Sequence, residues 1–370
     1  MKVALLCPTV GQTRRGYERF ITDLFDLLKA DVDITLFKGA GASGPAEKVV
    51  PHIKRTGLLS RPFPHRFRYA RSHLEFASFA IAMFPHLQRG GFDLVHFIDP
   101  LMGRWLRSSR RLASRRFGLL FTNGFTNGAP VPDHCSRWAD HIHCVTPSAL
   151  QETEEAGIPR ERLTMLPPGV APQRFVTPLD RDELRRRFDV PSDAFVILAI
   201  TSLNRQHKRV DYLIEEVSRL EGNFLLWLDG SLHPDGDATL LQLASARLGT
   251  RFRHTHVPSD RVGELFKLAD VMVSAALYET FGMALVEAMC CGLPVVAHDS
   301  PHFRWLVGSA EHLEDMRSTG NLAARLAQLM RRPVGLRNPI DPSDVVRRFG
   351  WGQLKAGYLE MYGRLAHYSY

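Results

Sequence analysis

The sequence has few of the features that mark secreted or membrane-spanning chains. Its five cysteines, Cys7, Cys135, Cys144, Cys290 and Cys291, are odd in number and lack metal-site or disulfide spacing. No segment approaches the roughly 20 apolar residues that a membrane span requires. The apolar start MKVALLCP is too short for a signal peptide and is typical of a first strand. We therefore expect reduced, mostly buried thiols in a cytoplasmic protein, either soluble or peripheral at the inner face of the membrane.

Acidic residues are scarce relative to basic ones, with 39 Asp and Glu against 47 Lys and Arg and a net charge of +8. The excess is clustered at residues 61–71 (RPFPHRFRYAR) and 104–116 (RWLRSSRRLASRR), where arginines alternate with aromatic and apolar residues. Such segments suit an anionic membrane or an acidic acceptor, or a solvated helix whose arginines pair with acids elsewhere. No recognition motif accompanies the arginines, so nucleic acid is not expected as a partner.

Short apolar runs alternate with amphipathic stretches along all 370 residues, which is enough chain for two domains. This alternation predicts parallel sheets with helices on both faces. A proline-rich linker at 167–183 separates the two halves. The predicted strands are 3–7, 33–37, 94–97, 119–122, 142–145, 163–166, 195–201, 224–228, 271–274 and 295–297.

The most informative segment is residues 279–296, ETFGMALVEAMCCGLPVV, in which two glutamates are eight positions apart. Thr280 is a suitable N-cap for a helix, and Glu287 falls on a face away from the predicted core. The apolar residues recur at the spacing of one buried helical stripe. They are Phe281, Ala284, Leu285, Ala288 and Met289.

This segment predicts a site for a nucleotide sugar. Gly282 leaves the first turn open, and backbone N–H groups at a helix start attract phosphate. The helical rise places Glu287 roughly 9–10 Å further along, far enough to reach a ribose. Glu279 stays at the mouth, where a donor sugar would sit. The alternative is two solvated glutamates on an ordinary amphipathic helix.

Loops at the carboxyl ends of other strands carry further candidates. TSLNRQHKRVD places Arg205 and Lys208 near a strand end, where two cations suit a pyrophosphate; structural salt bridges are the alternative. Gly11 and Gly16 flank a loop that either approaches a ligand or forms a tight turn. The D-x-D triplets at 31–33 and 235–237 begin a strand and occupy a turn, so we expect no metal.

Residues 269–299, ADVMVSAALYETFGMALVEAMCCGLPVVAHD, resemble the signature of the retaining GT-B glycosyltransferases of the group 1 (family 4) kind. LPPG at 166–169, HKRVDYLI at 207–214 and RFGWGQLKAGYLEMYGRL at 348–365 extend the resemblance. It implies an α/β fold of two doubly wound, parallel-sheet, Rossmann-like domains facing across a cleft. Residues 1–170 would form the acceptor side, 171–342 would bind the nucleotide sugar, and helices in 343–370 would cross back to the first domain.

The resemblance also assigns the donor site. It makes the E-x7-E element the donor-binding element, maps Lys208 securely, and places the nucleobase near His256 and Val257. The family usually has an arginine where this chain has Ser202 and Leu203, so Arg205 is assigned only by its proximity. The donor-binding residues implied are Gly11, Arg205, Lys208, His256, Val257, Glu279, Thr280, Phe281, Gly282, Met283 and Glu287.

One position departs from the family pattern. Where relatives carry a histidine near the reacting end of the donor sugar, this chain has Asn123, whose amide cannot exchange protons at neutral pH. Asn123 either positions the sugar, or another residue has taken over the role, or activity is reduced. His96, His143, His298 and Asp99 also lie near strand ends, where structural roles are expected.

The function implied is a retaining, metal-independent, hexosyltransferase-type enzyme without a cofactor. A UDP- or GDP-linked sugar would be its donor, and a hydroxyl of a glycan, glycolipid or lipopolysaccharide-type acceptor would receive the sugar. The catalytic residues expected are Glu279, Asn123 and Lys208. Two alternatives remain open: a GT-B sugar-nucleotide epimerase or hydrolase, and a relative that binds nucleotide sugars without turnover.

Overall fold

The structure is a computed structural model that describes residues 1–12, 16–55, 57, 68–113, 116–124, 138–230, 237–333 and 340–366. The chain forms two compact units. Unit 1 comprises Met1–Gly169 together with Leu354–Tyr370, and unit 2 comprises Val170–Gln353. The last helix therefore begins with residues of unit 2 and continues as part of unit 1.

Unit 1 is built on a seven-stranded parallel sheet of order β3-β2-β1-β4-β5-β6-β7. Its strands are β1 (Lys2–Cys7), β2 (Asp33–Lys38), β3 (Glu47–Val49), β4 (Leu94–Phe97), β5 (Gly118–Asn123), β6 (His141–Cys144) and β7 (Leu163–Met165). Its helices are α1 (Gly16–Leu28), α2 (Arg68–Ala82), α3 (Phe84–Gly90), α4 (Pro100–Arg111) and α5 (Pro147–Glu155). The final helix, α14 (Trp351–Ala366), belongs to this unit from Leu354 onward.

Unit 2 has a six-stranded parallel sheet of order β10-β9-β8-β11-β12-β13. Its strands are β8 (Phe195–Ile200), β9 (Phe224–Asp229), β10 (Phe252–Thr255), β11 (Val271–Val273), β12 (Val295–His298) and β13 (Leu313–Glu314). Its helices are α6 (Arg181–Arg187), α7 (Val210–Val217), α8 (Thr239–Leu248), α9 (Val262–Leu268), α10 (Met283–Cys290), α11 (Pro301–Val307), α12 (Asn321–Arg331) and α13 (Pro342–Phe349).

The central strands are buried on both faces, which explains their continuous apolar sequences. β1, β8 and β9 consist almost entirely of buried residues, because helices cover both sides of a parallel sheet. In unit 2 the two faces of the sheet pack into separate apolar clusters, one beneath α10 and α13 and the other beneath α7 and α12. The predicted α/β class with two parallel sheets is confirmed.

The predicted strands are all present, with ends that differ from the prediction by at most one residue. The strands that the sequence analysis missed are β3, β10 and β13, and each lies at an edge of its sheet. Their sequences, EKV, FRHT and LE, contain no apolar run, since an edge strand is only partly buried. Their partly exposed position therefore removed the signal that identified the central strands.

Helix α10 corrects two expectations about the glutamate motif. The helix begins at Met283 with Gly282 as its N-cap, so the prediction of Thr280 as N-cap is wrong. Gly282 has a φ of 98°, a left-handed conformation that glycine adopts without strain. Glu287 is only 5% exposed, so its predicted position on an outward face is also wrong. The helix is enclosed because it packs against both the sheet and α13.

The described cysteines form no disulfide bonds, as their spacing in the sequence suggested. Cys7, Cys144, Cys290 and Cys291 are free thiols, and all except Cys291 are buried. Cys135 lies outside the described residues. Of the helices that the structure describes, none has the length and apolar character to cross a membrane.

Candidate active site

Strands β8 and β11 are neighbours in the centre of the unit 2 sheet, and the chain leaves them in opposite directions. It continues from β8 to β9 and β10 on one side, whereas β12 and β13 follow β11 on the other. In open parallel sheets such a reversal leaves a crevice beyond the carboxyl ends, where ligands bind. The loops at this place, residues 201–209 and 274–282, carry Lys208 and Glu279.

The side chain of Asn204 shapes the first of these loops. Its Oδ1 accepts the backbone N–H groups of His207 at 2.9 Å and Lys208 at 2.8 Å. The chain then passes through Arg209 in a left-handed conformation with a φ of 49° and enters α7. Asn204 thus orders the loop that carries Lys208, a role that the sequence analysis did not assign to it. An asparagine that bonds backbone N–H groups a few residues on is a recognisable turn signal.

The structure brings together the predicted Lys208 and Glu279. The Lys208 ammonium forms an ion pair with Glu279 Oε1, and both side chains are largely buried. His207 donates from Nε2 to the carbonyl of Tyr278 at 3.1 Å, and the same nitrogen lies 3.7 Å from Glu279 Oε2. The His207 and Tyr278 rings stack at 4.9 Å. Burial and the charge of Lys208 lower the pKa of His207, so Lys208 supplies the positive charge at neutral pH.

The loop after Glu279 leads directly into α10. Thr280 and Met283 are partly exposed, whereas Phe281 is buried in the core against Phe349. The carbonyl of Phe281 accepts the Nε2–H of His302 at 3.1 Å, which fixes the turn before the helix. Because the first N–H groups of a helix have no acceptor within it, those of Met283 and Ala284 are available at this end. Glu287 follows one turn further on, where it is buried and close to Cys290. Burial and the charge of Glu287 raise the pKa of the Cys290 thiol.

The other predicted donor-binding residues in unit 2 have local partners. Arg205 donates from Nε to Asp237 at 2.5 Å and from Nη2 to Thr239 at 2.9 Å, so its guanidinium lies beside the start of α8 and not beside Glu279. His256 is exposed in the loop after β10. The N–H of Val257 donates to Asp229 Oδ1 at 2.9 Å. The structure therefore groups Lys208, Glu279 and the start of α10, and places Arg205 apart from them.

The predicted site residues of unit 1 have structural roles in the described part of the chain. A Cβ at Gly11, whose φ is +82°, would come within 2.2 Å of the carbonyl oxygen of Ala40, so the tight turn itself requires glycine. Asn123 is fully buried at the end of β5, and its Nδ2 donates to Thr153 Oγ1 of α5 at 2.9 Å. Asn123 therefore joins the end of a strand to a helix and presents no surface to a ligand.

A buried chain of hydrogen bonds connects β4, β5 and β6 to α14. His143 Nε2 bonds the carbonyl of Leu166 at 2.8 Å, and a carbonyl only accepts, so His143 Nδ1 is the acceptor of this neutral ring. Thr122 therefore donates to His143 at 2.9 Å and accepts from His96 Nε2 at 2.5 Å. His96 Nδ1 must then accept from the hydroxyl of Tyr362, at 2.6 Å.

The pKa values of these histidines agree with that assignment. Burial lowers the pKa of His143 to about 4, and it holds the pKa of His96 well below its ordinary range. His298 is likewise buried, with Nδ1 accepting the N–H of Met316 at 3.3 Å. Asp99 caps α4 by accepting the N–H of Leu101 at 2.9 Å, and burial raises its pKa to about 7.

The described residues contain no group of three or more His, Cys, Asp and Glu side chains that could hold a metal ion. Two members of the D-x-D triplets form ion pairs: Asp31 with Lys355 at 2.7 Å, and Asp237 with Arg205. Asp235 lies outside the described residues.

Comparison with known proteins identifies the family. The model of the group 1 glycosyl transferases matches residues 180–341, and that of glycosyltransferase family 4 matches residues 14–174. Together they match most of the chain. The chain belongs to the group 1 (family 4) glycosyltransferases. Its two parallel sheets are the two domains of the GT-B fold, as the sequence analysis predicted.

Curated relatives of this glycosyltransferase agree with that family, and solved structures of other proteins share its fold. D-inositol 3-phosphate glycosyltransferase of Xylanimonas cellulosilytica is 25% identical, covering 90% of this chain and 87% of the relative. Mannosylfructose-phosphate synthase of Agrobacterium fabrum is 30% identical over 43% of this chain and 38% of its own length. Sucrose-phosphate synthase of Thermosynechococcus elongatus superposes with a TM-score of 0.79 at 17% identity, over 98% of each chain. HepE of Anabaena, solved with UDP-glucose, has a TM-score of 0.75 at 17% identity, over 98% of this chain and 100% of HepE.

Proposed function

We propose that this glycosyltransferase moves a sugar from a UDP-linked donor to a hydroxyl of a glycan or lipid-linked acceptor, with retention of anomeric configuration and without a metal ion. The observation that carries the proposal is the meeting of Lys208 and Glu279 at the strand reversal of unit 2, beside the start of α10. The complex of HepE with UDP-glucose supports the choice of a uridine nucleotide.

The diphosphate is the part of the donor that carries negative charge, and Lys208 with the first N–H groups of α10 are the positive groups of this site. Lys208 is held in place from two directions, by Asn204 at its backbone and by Glu279 at its ammonium. Such a preorganised cation stabilises the charge that develops on the departing nucleoside diphosphate. A metal ion is not required for this role.

The two glutamates would bind the hydroxyl groups of the donor. Glu279 lies outside the helix, beside Lys208, where its carboxylate can accept from the hydroxyls of the transferred sugar. Glu287 lies one turn into α10 and would accept from the ribose hydroxyls. Since both are largely buried, these charge-assisted bonds would be stronger than the same bonds in water.

Retention of configuration follows from attack on the same face of the sugar. The bond between the anomeric carbon and the phosphate oxygen breaks, the acceptor oxygen forms a bond to that carbon, and the leaving phosphate takes the acceptor proton. This step needs positioning and charge stabilisation more than a side-chain base. The buried amide of Asn123 fits such a mechanism as a positioning group that holds the end of β5 against α5.

Calorimetric titration of UDP, GDP and ADP into the wild type and Glu287→Gln tests the donor site. We expect UDP to bind best, and Glu287→Gln to weaken it about tenfold or more, because a hydrogen bond to a charged group is worth roughly 1.5–3 kcal/mol. Glu221→Gln is a matched control, since Glu221 is an exposed glutamate of the same unit. Equal affinity of the wild type and Glu287→Gln for UDP would show that Glu287 does not bind the ribose hydroxyls.

Incubation with UDP-sugars and candidate acceptors, followed by NMR of the anomeric proton, tests the reaction. Transfer with unchanged anomeric configuration supports the proposal, and an inverted product refutes retention. UDP binding without transfer to any acceptor would favour the binding-only alternative. Release of free sugar without an acceptor would favour a hydrolase.

A further inference from the structure

Helix α4 of unit 1 has one buried face and one exposed face of unusual composition. Met102, Gly103, Leu106 and Ser109 point into the unit. The residues that face solvent are Arg104, Trp105, Ser108 and Arg111, followed by Leu112 just after the helix. Their spacing of three and four positions places them along one side of the helix. We call these five residues the α4 outer face.

The α4 outer face exposes two large apolar side chains. Trp105 is 40% exposed and Leu112 is 72% exposed. Single exposed apolar residues are ordinary on protein surfaces. Here, however, Trp105 in the helix and Leu112 at its C-cap are two turns apart on the same side, and each has an arginine beside it.

The arginines of this segment divide into two groups. Arg110 pairs with Asp140 and donates to the carbonyl of Phe117 at 3.2 Å, and the guanidinium of Arg107 lies 5.6 Å from the centre of the Trp138 ring. These two stabilise the unit. Within the part of the chain that the structure describes, no acidic side chain forms an ion pair with Arg104 or Arg111. The sequence has no Asp or Glu between Asp99 and Asp133.

We propose that the α4 outer face binds the surface of an anionic membrane. Trp105 and Leu112 would enter the boundary between headgroups and acyl chains, and Arg104 and Arg111 would contact the anionic headgroups. This is the arrangement of an interfacial amphipathic helix, which binds through apolar burial together with electrostatic attraction. A soluble polyanion would use the arginines alone, since it offers nothing to bury tryptophan and leucine. The full set of exposed residues therefore favours a lipid surface.

Cosedimentation of the full chain with vesicles tests this surface. We expect binding to vesicles of phosphatidylcholine with about one quarter phosphatidylglycerol, and little binding to phosphatidylcholine alone, in about 0.1 M salt. Each cation near an anionic surface contributes about fivefold to binding, so Arg104→Ser with Arg111→Ser should weaken it about 25-fold. Trp105→Ser with Leu112→Ser should weaken it at least about tenfold, because both apolar side chains are then lost from the interface.

Two control variants test whether the effects are specific to the α4 outer face or follow from any loss of positive charge or of an exposed apolar side chain. Arg186→Ser with Arg331→Ser removes the same charge from exposed positions of unit 2, and Val176→Ser removes an apolar side chain that is 76% exposed. Both should bind vesicles as the wild type does, and all variants should keep the wild-type melting temperature. Three results would overturn the proposal: no preference of the wild type for anionic vesicles, an equal loss in the charge control, or unchanged binding in the Trp105 and Leu112 variant. The last result, combined with competition by heparin, would indicate a soluble polyanion.

Discussion

At the centre of each sheet two neighbouring strands send the chain in opposite directions, β1 and β4 in unit 1 and β8 and β11 in unit 2. In unit 2 the loops beyond these strands present a charged pair, Lys208 and Glu279, beside the start of a helix. In unit 1, His96 on β4 and His143 on β6 are neutral, buried and hydrogen-bonded. A polar residue near the end of a parallel strand is therefore not by itself a ligand group.

The neighbouring helix accounts for the difference. In unit 1, α14 places the hydroxyls of Tyr358 and Tyr362 against this region, where they bond the carbonyl of Pro167 at 2.9 Å and His96 at 2.6 Å. The polar groups of β4, β5 and β6 are thus satisfied within the unit. In unit 2, Lys208 and Glu279 satisfy each other across two loops, and a charged ligand can compete for such a pair. The comparison predicts that substitutions of Lys208 and Glu279 change activity, and that substitutions in the hydrogen-bonded groups of β4, β5 and β6 change stability.

Replacing Lys208 should have the largest effect. We expect Lys208→Ala to lower kcat/KM by about 100- to 1,000-fold, as the loss of a preorganised charge-stabilising group does. Steady-state kinetics with the preferred nucleotide sugar measures this. Lys267→Ala, at an exposed lysine of the same unit, is the matched control and should stay within about twofold. Activity of Lys208→Ala within about threefold of the wild type would remove the charge at Lys208 from the mechanism.

Acid should weaken unit 1 through its buried histidines. The pKa of His143 is about 4 in the folded protein, below its ordinary 6.5, so the unfolded chain binds more protons between these values. Stability is therefore lost as pH falls from about 6.5 to about 4, by about 3 kcal/mol for this histidine. We expect the free energies of unfolding of the wild type and His143→Gln, measured in urea, to approach each other by about 3 kcal/mol as pH falls from about 6.5 to about 4.

The pH dependence that Asp99 adds to stability has the opposite sign to that of His143, and it does not affect the comparison of wild type with His143→Gln. Its folded pKa of about 7 is above its ordinary value, so its contribution to stability is lost as pH rises toward 7. Because Asp99 is present in both proteins, its effect cancels in the difference. A free-energy difference that stays constant from pH 7 to pH 4 would mean that His143 is not held neutral by burial.

The local arrangement of the glutamate motif was the part of the candidate site that the sequence could predict. Glu279, Gly282 and Glu287 lie within one short segment, so their mutual placement follows from a turn and a single helix. The central strands were predictable for a similar reason, since burial on both faces leaves continuous apolar runs. The start of α10 was misplaced because the left-handed Gly282, and not Thr280, precedes its first turn.

The environment of unit 1 could not be predicted, because it depends on contacts between distant parts of the chain. His96 and Tyr362 are 266 positions apart, and neither carries a local signal of the other. The burial of Asn123 depends on how α5 packs against β5, and a sequence motif gives no information about that packing. The pairing of Arg205 with Asp237 also joins separate loops, so the sequence around Arg205 carries no sign of it.

Asn123→Ala should separate stability from catalysis. Removing the amide leaves the buried hydroxyl of Thr153 without one of its partners, and we expect unfolding to become easier by about 1–3 kcal/mol. Because Asn123 presents no surface to a ligand, KM for the donor should stay within about twofold. Thermal melting and steady-state kinetics measure the two effects, with the exposed Asn223→Ala as control. A large rise in KM for the donor without a loss of stability would instead support a role of Asn123 in binding the donor sugar.

The smallest effect is expected where the hydrogen-bonded chain of unit 1 reaches α14. Tyr362→Phe removes the hydroxyl that donates to His96 Nδ1 and leaves this acceptor without a partner, at a cost of about 1 kcal/mol in the free energy of unfolding. Thr122→Val breaks the same chain on the other side of His96. Because one histidine links both bonds, the double variant should differ from the sum of the single variants by at least about 0.5 kcal/mol. If the losses in the free energy of unfolding are additive, the two bonds act independently. Such a result would contradict a single chain of hydrogen bonds in which each group from Tyr362 to His143 donates to the next, ending at the carbonyl of Leu166.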